Sequence, residues 1–210
     1  RWHPAPEFYY RRGGGPMLDM GPYYLTALVN LLGPIKAVTG MTRITFPERT
    51  VTSVPENVRQ IPVQTPTHIA GTVEYACGAI VTIVTSFDVW KSDLPFIEVH
   101  GARGSLSVPD PDRFGGPYKI AREAEEEWTT VEITTHGYRQ NSRGIGPADM
   151  ATAIRTGRPH RATGALAAHV LDAMLSFEES SDAGRRLELT TTCTQPAPLP
   201  EGLAEGELDG

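Results

Sequence analysis

Apolar residues recur with two different periods along this chain, and this change of period constrains the fold more than any other feature. In DMGPYYLTALVNLLGP the spacing i, i+3, i+4, i+7 of an amphipathic helix is carried by Leu25, Leu28, Val29 and Leu32. Pro22 is tolerated in a first helical turn, and Gly33 is a stop signal. The pattern predicts a helix that ends at Gly33.

From Lys36 to about Ile133 the period is two, in short runs rich in Val, Ile and Thr. Cys77 and Gly78 stand between two of these runs, where a hairpin is expected to turn. The helical period then returns in two segments. The first begins at Pro147 and stops at Gly157; the second stops at Gly184 and has one apolar stripe, formed by Leu166, Val170, Met174 and Phe177.

No helical pattern of 10 to 15 residues separates the strands, which argues against a doubly wound parallel sheet. The predicted fold class is therefore α+β, with an open, mostly antiparallel β-sheet packed against helices. We assign residues 1–194 to one domain. Residues 195–210 are rich in Pro, Gly and acidic residues without a period, and are expected to form a mobile tail.

Composition excludes several classes of protein. No apolar run approaches the length that crosses a bilayer, so no membrane association is predicted. With 19 basic and 25 acidic residues the net charge is −6, which makes nucleic acid an unsuitable partner. The two cysteines, Cys77 and Cys193, suggest no disulfide framework, so a cytoplasmic location is expected. The histidines lack metal-ligand spacing, and no metal is predicted.

Two glycine-rich segments invite comparison with a dinucleotide-binding fingerprint. GGGPML and GIGPAD both contain G-x-G, but Leu18 and Asp149 occupy the position of the third glycine. Neither segment follows a convincing strand of a βαβ unit. The chain by itself is not expected to hold NAD.

Asp19 and Tyr23 are the first candidates for chemistry. Their i, i+4 spacing places both side chains on one helix face, and Tyr23 lies roughly opposite the apolar stripe. A carboxylate and a phenol at a helix N-terminus form a workable acid/base pair, since the helix dipole favours negative charge there. In the alternative reading Asp19 only caps the helix and Tyr23 packs with a hydrogen-bonded hydroxyl.

Three segments in order resemble one family. GGGPMLDMGPYYLTALVNLLGP, EVHGARGSLSVPDP and ADMATAIRTGRPHRATGALAAHVLDAML are similar to the C-terminal substrate domain of Gfo/Idh/MocA-type NAD(P)-dependent oxidoreductases. The resemblance covers nearly the whole chain. It implies an open antiparallel sheet packed by helices, following an N-terminal Rossmann domain that is absent from this chain.

The resemblance also assigns roles to the candidate pair. The family pattern G-G-G-x-x-x-D-x-G-x-H places an acid and a histidine in the active site, and these positions fall on Asp19 and Tyr23. Tyrosine departs from the usual histidine. Members resembling glucose-fructose oxidoreductase and dimeric dihydrodiol dehydrogenase have tyrosine there, which suggests a subgroup that retains acid/base chemistry.

By resemblance, the full-length protein is an NAD(P)-dependent dehydrogenase or reductase that acts on the CH–OH group of a sugar, polyol or cyclic alcohol by hydride transfer. NAD or NADP would be bound mainly by the absent Rossmann domain, which also contributes a lysine beside the phenol. The cofactor-binding residues are therefore unknown, and the isolated fragment is expected to be inactive without cofactor. The alternative is a non-catalytic binding or oligomerisation module that retains the fold.

Other polar residues are candidate substrate contacts, each with an ordinary alternative. The set comprises Trp2, His3, Lys91, Asn141 and Arg143. Trp2 and His3 precede the glycines and are expected to border the same cleft, although a histidine in a loop is commonly solvated. Lys91 follows a strand and has a solvated alternative, while Arg143 could instead satisfy backbone carbonyls. His169 flanks its helix stripe and is read as a satisfied, semi-buried histidine.

One long strand has apolar residues on both faces. Ile80 and Val84 share one face, while Val81 and Ile83 share the other. Helices can cover only one of these faces. We therefore expect the other to be buried in a symmetric homo-oligomer.

Overall fold

The computed structural model describes residues 3–135, 137–138, 140 and 142–209. It divides the chain into two units. The first comprises Arg1–Trp90 and Gly164–Gln195, and the second comprises Lys91–Thr163 and Pro196–Gly210. Within the described residues, no helix is both long enough and apolar enough to cross a membrane.

The first unit begins with a short helix, α1 (Glu7–Tyr10), and a longer one, α2 (Pro16–Leu32). Gly15 is the N-cap of α2 and Pro16 occupies its first turn, where a missing N–H costs no hydrogen bond. Pro22 lies inside the helix, so the prediction that it belongs to the first turn was wrong. The sequence pattern showed only the apolar stripe that starts at Leu25, while the helix already begins at Pro16.

The main sheet of the first unit has the order β10-β1-β4-β5, and every neighbouring pair is antiparallel. Its strands are β1 (Ile35–Arg43), β4 (His68–Tyr75), β5 (Ile80–Ser86) and β10 (Leu187–Glu188). The β4–β5 hairpin turns at Cys77 and Gly78, as predicted, and Gly78 has φ of 90°. A positive φ is a conformation that glycine adopts without a steric penalty.

Helix α4 (Gly164–Ala183) covers one face of this sheet. Its predicted stripe is confirmed, because Leu166, Val170, Met174 and Phe177 are all buried. Gly40 and Gly71 are paired across β1 and β4, and a Cβ on Gly40 would lie 2.3 Å from the carbonyl oxygen of Phe177. The two glycines therefore allow α4 to approach the sheet more closely than any side chain would permit.

A separate hairpin pairs β2 (Glu48–Val51) with β3 (Arg59–Pro62), and a 3-10 turn at Pro55–Asn57 lies between the two strands. Val51 and Ile61 of this hairpin are buried. These two strands were not predicted from the sequence, because each is only four residues long and has little alternation.

The second unit contains an antiparallel sheet of order β6-β7-β8-β9 and one helix. The elements are β6 (Ile97–Gly101), β7 (Gly104–Val108), β8 (Tyr118–Arg122), β9 (Thr129–Val131) and α3 (Ile145–Thr156). Helix α3 starts two residues before the predicted Pro147 and ends at Gly157, which has φ of 77°.

The last residues of the chain also belong to the second unit. The N–H of Gly202 donates to Thr135, and the N–H of Gly137 donates to Leu203 at 2.8 Å. Asp209 pairs with Arg161 at 2.7 Å. The domain boundary at residue 194 and the mobility of residues 195–210 stay predictions.

The α+β class with open antiparallel sheets is confirmed. Its strands lie in three sheets rather than in one, since β2–β3 and β6–β9 are hydrogen-bonded separately from β1, β4 and β5.

Candidate active site at the start of helix α2

Asp19 and Tyr23 lie on α2 at i, i+4, one turn apart. The opposite face of the helix is buried and includes Met17, Gly21 and Leu25. Tyr23 is 37% exposed, as the position opposite the apolar stripe predicts. Among the residues that the structure describes, no hydrogen-bond partner for its hydroxyl is found. The phenol is therefore directed away from the core.

The capping alternative for Asp19 does not fit this helix. The N-cap is Gly15, which makes no side-chain cap hydrogen bond, and Asp19 lies four residues further on. The N–H of Asp19 instead donates to the Gly15 carbonyl at 3.0 Å, within the regular helix ladder. The carboxylate still occupies the first turn, where the helix dipole favours negative charge.

The glycines before α2 are required by close backbone approaches. A Cβ on Gly14 would lie 2.6 Å from the Phe8 carbonyl oxygen, closer than real Cβ atoms come. Gly15 has φ of 92°, and a Cβ there would meet the Pro66 carbonyl at 3.0 Å. Gly14 and Gly15 thus allow the chain to fold tightly between α1 and α2.

His3 lies half-buried at the start of the described chain, in the same unit as α2. Its ring meets Phe8 and Tyr9 edge to face, with centroids 5.2 and 5.8 Å away. Its Nδ1 accepts a hydrogen bond from the N–H of Ala5 at 3.1 Å. The ring is therefore held by neighbours, and its role in substrate binding stays a prediction.

The other predicted substrate contacts belong to the second unit or lie outside the described residues. Trp2 and Asn141 lie outside the described residues. Lys91 and Arg143 belong to the second unit. Lys91 is 83% exposed and lies 3.8 Å from Asp93, while Arg143 donates to Asp112 at 3.3 Å. Their proposed contacts with substrate stay predictions.

A cluster of charged and polar side chains that was not predicted from the sequence joins the β2–β3 hairpin to the end of β5. Asp88 pairs with Arg49 and accepts a hydrogen bond from the Thr67 hydroxyl at 2.7 Å. The Arg49 guanidinium also lies over the rings of Tyr10 and Phe46, at 5.7 and 5.0 Å from their centroids. No short motif signals this cluster, because its members come from separate parts of the chain.

A second missed contact ties the hairpin to α1. The guanidinium of Arg59 donates to the Glu7 carboxylate through both Nε, at 3.0 Å, and Nη2. The Arg59 hydrogen bond is the main reason that the pKa of Glu7 lies below its usual value. Both side chains are 28% exposed, so the pair is half-buried.

A cleft of about 360 Å³ lies in the second unit, along β6, β7 and β8. Glu98, Ser107 and Lys119 are cross-strand neighbours in its floor, and Phe96 and Trp128 contribute aromatic rings. It contains none of the residues that the sequence analysis selected.

The strand pairing of the described residues bears on cofactor binding, and their His, Cys, Asp and Glu side chains bear on metal binding. All their strand pairs are antiparallel, so they contain no βαβ unit of the kind that binds a dinucleotide. The described residues therefore lack the framework of a Rossmann-type dinucleotide site, and the expectation that the chain alone holds no NAD stays a prediction. No group of three or more His, Cys, Asp or Glu side chains in the described part of the chain lies close enough to hold a metal ion.

Solved structures with the same fold are oxidoreductases by their descriptions. An NAD-binding oxidoreductase from Klebsiella pneumoniae superposes with a TM-score of 0.66 at 18% identity, over 85% of this chain and 52% of that one. Levoglucosan dehydrogenase in complex with NADH and levoglucosan gives 0.66 at 17% identity, over 89% and 54%. Its complex with NADH and L-sorbose gives 0.66 at 16% identity, over 87% and 53%.

This chain thus spans about half the length of those structures. At such low identity the likeness shows the fold. No curated protein sequence matches the chain. The model of the GFO/IDH/MocA C-terminal domain matches residues 1–107, just over half of the chain, and includes Asp19 and Tyr23. The chain belongs to the GFO/IDH/MocA C-terminal domain family.

Proposed function

We propose that this chain is the substrate-binding and catalytic half of an NAD(P)-dependent dehydrogenase or reductase that acts on a sugar, polyol or cyclic alcohol. The observation that carries the proposal is the exposed phenol of Tyr23, one turn after Asp19 on the face of α2 that the core does not use. Family membership supports it. So do structural neighbours solved with NADH and levoglucosan or L-sorbose.

Oxidation of an alcohol to a carbonyl releases a hydride from carbon and a proton from oxygen. The proton is the part that this chain's residues handle. Tyr23 would accept it from the substrate hydroxyl, or donate it in the reverse direction. Asp19, on the same face, would orient the hydroxyl and share the proton, although two anions side by side disfavour each other.

The hydride acceptor would be NAD or NADP, held by a separate nucleotide-binding domain; the lack of a βαβ unit among the described residues of this chain supports this. That domain would also supply the lysine that the family pairs with this phenol. The phenolate is the form of a tyrosine that can accept this proton, and it is scarcely populated at neutral pH without a cation beside it, so the isolated chain is expected to be inactive. The free thiols of Cys77 and Cys193 fit a cytoplasmic setting, which belongs to the same proposal.

Tyr23→Phe tests this function in the protein expressed from the complete gene. The change removes one oxygen and keeps the ring, and the hydroxyl has no partner among the described residues. We expect kcat to fall about 10²–10⁴-fold, the loss typical of a general acid/base, while the free energy of unfolding changes by less than about 1 kcal/mol. Steady-state rates with levoglucosan, other sugars and polyols, at saturating NAD and NADP, provide the measurement.

Asp19→Asn gives a second test with the same assay. Since Gly15 rather than Asp19 caps α2, the substitution removes no cap and should leave the melting temperature close to that of the wild type. We expect a lower kcat or a higher KM for the alcohol. Turnover by Tyr23→Phe within about threefold of the wild type would refute the catalytic assignment.

A non-catalytic oligomerisation module is the second candidate. The observation that favours it is the outer face of the main sheet, where Met41 and Ile80 are 76% and 77% exposed. A protein that assembles through this face and shows no turnover with either cofactor would support the second candidate over the first.

A further inference from the structure

The β2–β3 hairpin (Glu48–Pro62) contacts the first described residues of the chain, which include His3, through two side chains, Arg59 and Ser53. Arg59, on β3, forms the ion pair with Glu7 and also donates to the Pro4 carbonyl at 3.2 Å. The hydroxyl of Ser53, between the strands, donates to the His3 carbonyl at 2.6 Å. The Nε and Nη2 groups of Arg59 and the hydroxyl of Ser53 thus hold residues 3–7 by hydrogen bonds.

The same segment is joined to the start of α2 by backbone hydrogen bonds. The Tyr10 carbonyl accepts from Gln64, directly after the hairpin, at 2.7 Å. The Tyr9 carbonyl accepts from the N–H of Gly15 at 2.8 Å, and Gly15 is the N-cap of α2. A continuous set of contacts therefore runs from Arg59 through α1 to the turn that carries Asp19.

The two ends of this path are fixed to different degrees. Beyond the cap, α2 is anchored by its buried face, which includes Met17 and Leu25. Segment 3–10 has no buried residue: α1 buries none, and its aromatic residues Phe8, Tyr9 and Tyr10 pack at the surface. The position of this segment therefore depends on hydrogen bonds and the Arg59–Glu7 pair more than on apolar burial.

We propose that Arg59 is a positioning residue of the active site, which holds residues 3–15 in the conformation that receives the substrate. This rests on the proposed function and adds to it a residue that acts from a separate hairpin. Without Arg59 the segment samples other conformations, and the apparent affinity for substrate falls with the fraction that remains competent. Because α2 keeps its own anchors, the proton transfer in the bound complex is unaffected.

The test uses Arg59→Gln in the protein expressed from the complete gene. We expect KM for levoglucosan, or for the alcohol that the wild type oxidises best, to rise about fivefold or more while kcat stays within about twofold. The exchanged pair Glu7→Arg with Arg59→Glu restores the opposite charges and should bring KM back towards the wild type. The matched control is Glu48→Gln, an exposed residue of the same hairpin, which should change neither constant.

Hydrogen exchange of the same variants needs no substrate. In Arg59→Gln the amides of Gly15 and Gln64 should exchange about tenfold faster or more than in the wild type, while amides in the middle of α2 are unchanged. Unchanged exchange at Gly15 and Gln64, or faster exchange with KM unaltered, overturns the positioning role. Absence of turnover by the wild type with both cofactors overturns the proposed function instead, so the two failures are distinguished.

Discussion

The backbone N–H of Ile35, the first residue of β1, donates a hydrogen bond to Nε2 of the buried His169 at 2.9 Å. Because a backbone N–H can only donate, Nε2 carries no proton and Nδ1 does. Nδ1 then donates to the Thr191 hydroxyl at 3.1 Å, and that hydroxyl donates to Asp172 at 2.7 Å. His169 therefore joins α4, β1 and the segment after β10 as a neutral ring. This arrangement agrees with the interpretation of His169 as a structural histidine. Its side chain is fully buried, whereas the sequence predicted a semi-buried one.

This network predicts a loss of stability in mild acid. Burial lowers the pKa of His169, so the unfolded chain binds a proton at a higher pH than the folded chain does. The stabilising contribution is complete above the unfolded pKa of about 6.5 and decreases as the pH falls below it. We expect the unfolding free energy to decrease between about pH 7.5 and about pH 5.5, measured by urea denaturation at constant ionic strength.

His169→Gln should flatten that pH dependence, because an amide oxygen can still accept from Ile35 but does not titrate. His160→Gln changes a half-buried histidine of the second unit, outside this network, and should keep the wild-type slope. Equal slopes in all three proteins would contradict the assignment of the pH effect to His169.

A second prediction concerns the charge cluster of the second unit. Asp149 of α3 is 3% exposed and accepts from Arg158 at 2.7 Å, from Arg161 at 2.6 Å, and from the backbone N–H of Arg161 at 2.8 Å. Burial raises the pKa of Asp149, but these donors outweigh it and the pKa lies below its usual value. The carboxylate is therefore ionised and well satisfied.

Asp149→Asn removes the buried charge and leaves Arg158 and Arg161 with Asp209 as their remaining carboxylate partner. We expect the unfolding free energy to fall by about 3 kcal/mol, the lower end for breaking a buried ion pair, because both arginines are about one-fifth exposed. Asp112→Asn is the control, since its partner Arg143 is 61% exposed, and it should cost less than about 1 kcal/mol. Similar losses in the two variants, measured by urea unfolding, would show that Asp149 is not the main anchor.

The third prediction concerns assembly through the main sheet. Register places Met41, Ala70 and Val84 side by side on the face away from α4, and Met41 and Val84 are 76% and 47% exposed. An apolar row of this kind on a monomer is commonly an interaction surface. We expect the protein to be a symmetric dimer or larger, as light scattering at tens of micromolar would report.

Met41→Glu should convert that assembly to monomer, because burying an unpaired carboxylate at the centre of the face is costly. Ile154→Glu introduces the same charge at an equally exposed position, 76%, on α3 of the second unit, and should not change the mass. A wild-type protein that is monomeric throughout, or a Met41→Glu protein with unchanged mass, would refute assembly through this face.

Features that depend on neighbours in the sequence could be predicted. The stripe of α4, the turn at Gly78 and the exposed position of Tyr23 all follow from periods of 3.6 or two, and the structure agrees with each. The strands β2 and β10, of four and two residues, have too few residues for a period to be visible. The division into two units could not be predicted from the hydrophobic pattern either, because the chain leaves the first unit after Trp90 and returns to it at Gly164.

The sequence by itself determined which residues of α2 face the core and that Asp19 and Tyr23 share the other side, because i, i+4 geometry is a local property of any helix. Only the tertiary structure decided which groups far apart in the sequence contact one another. Arg59 meets Glu7 across 52 residues, and His169 meets Ile35 across 134. Such contacts arise where separate elements pack, and their partners follow no sequence spacing, since the path of the chain between them is set by the packing of the whole unit.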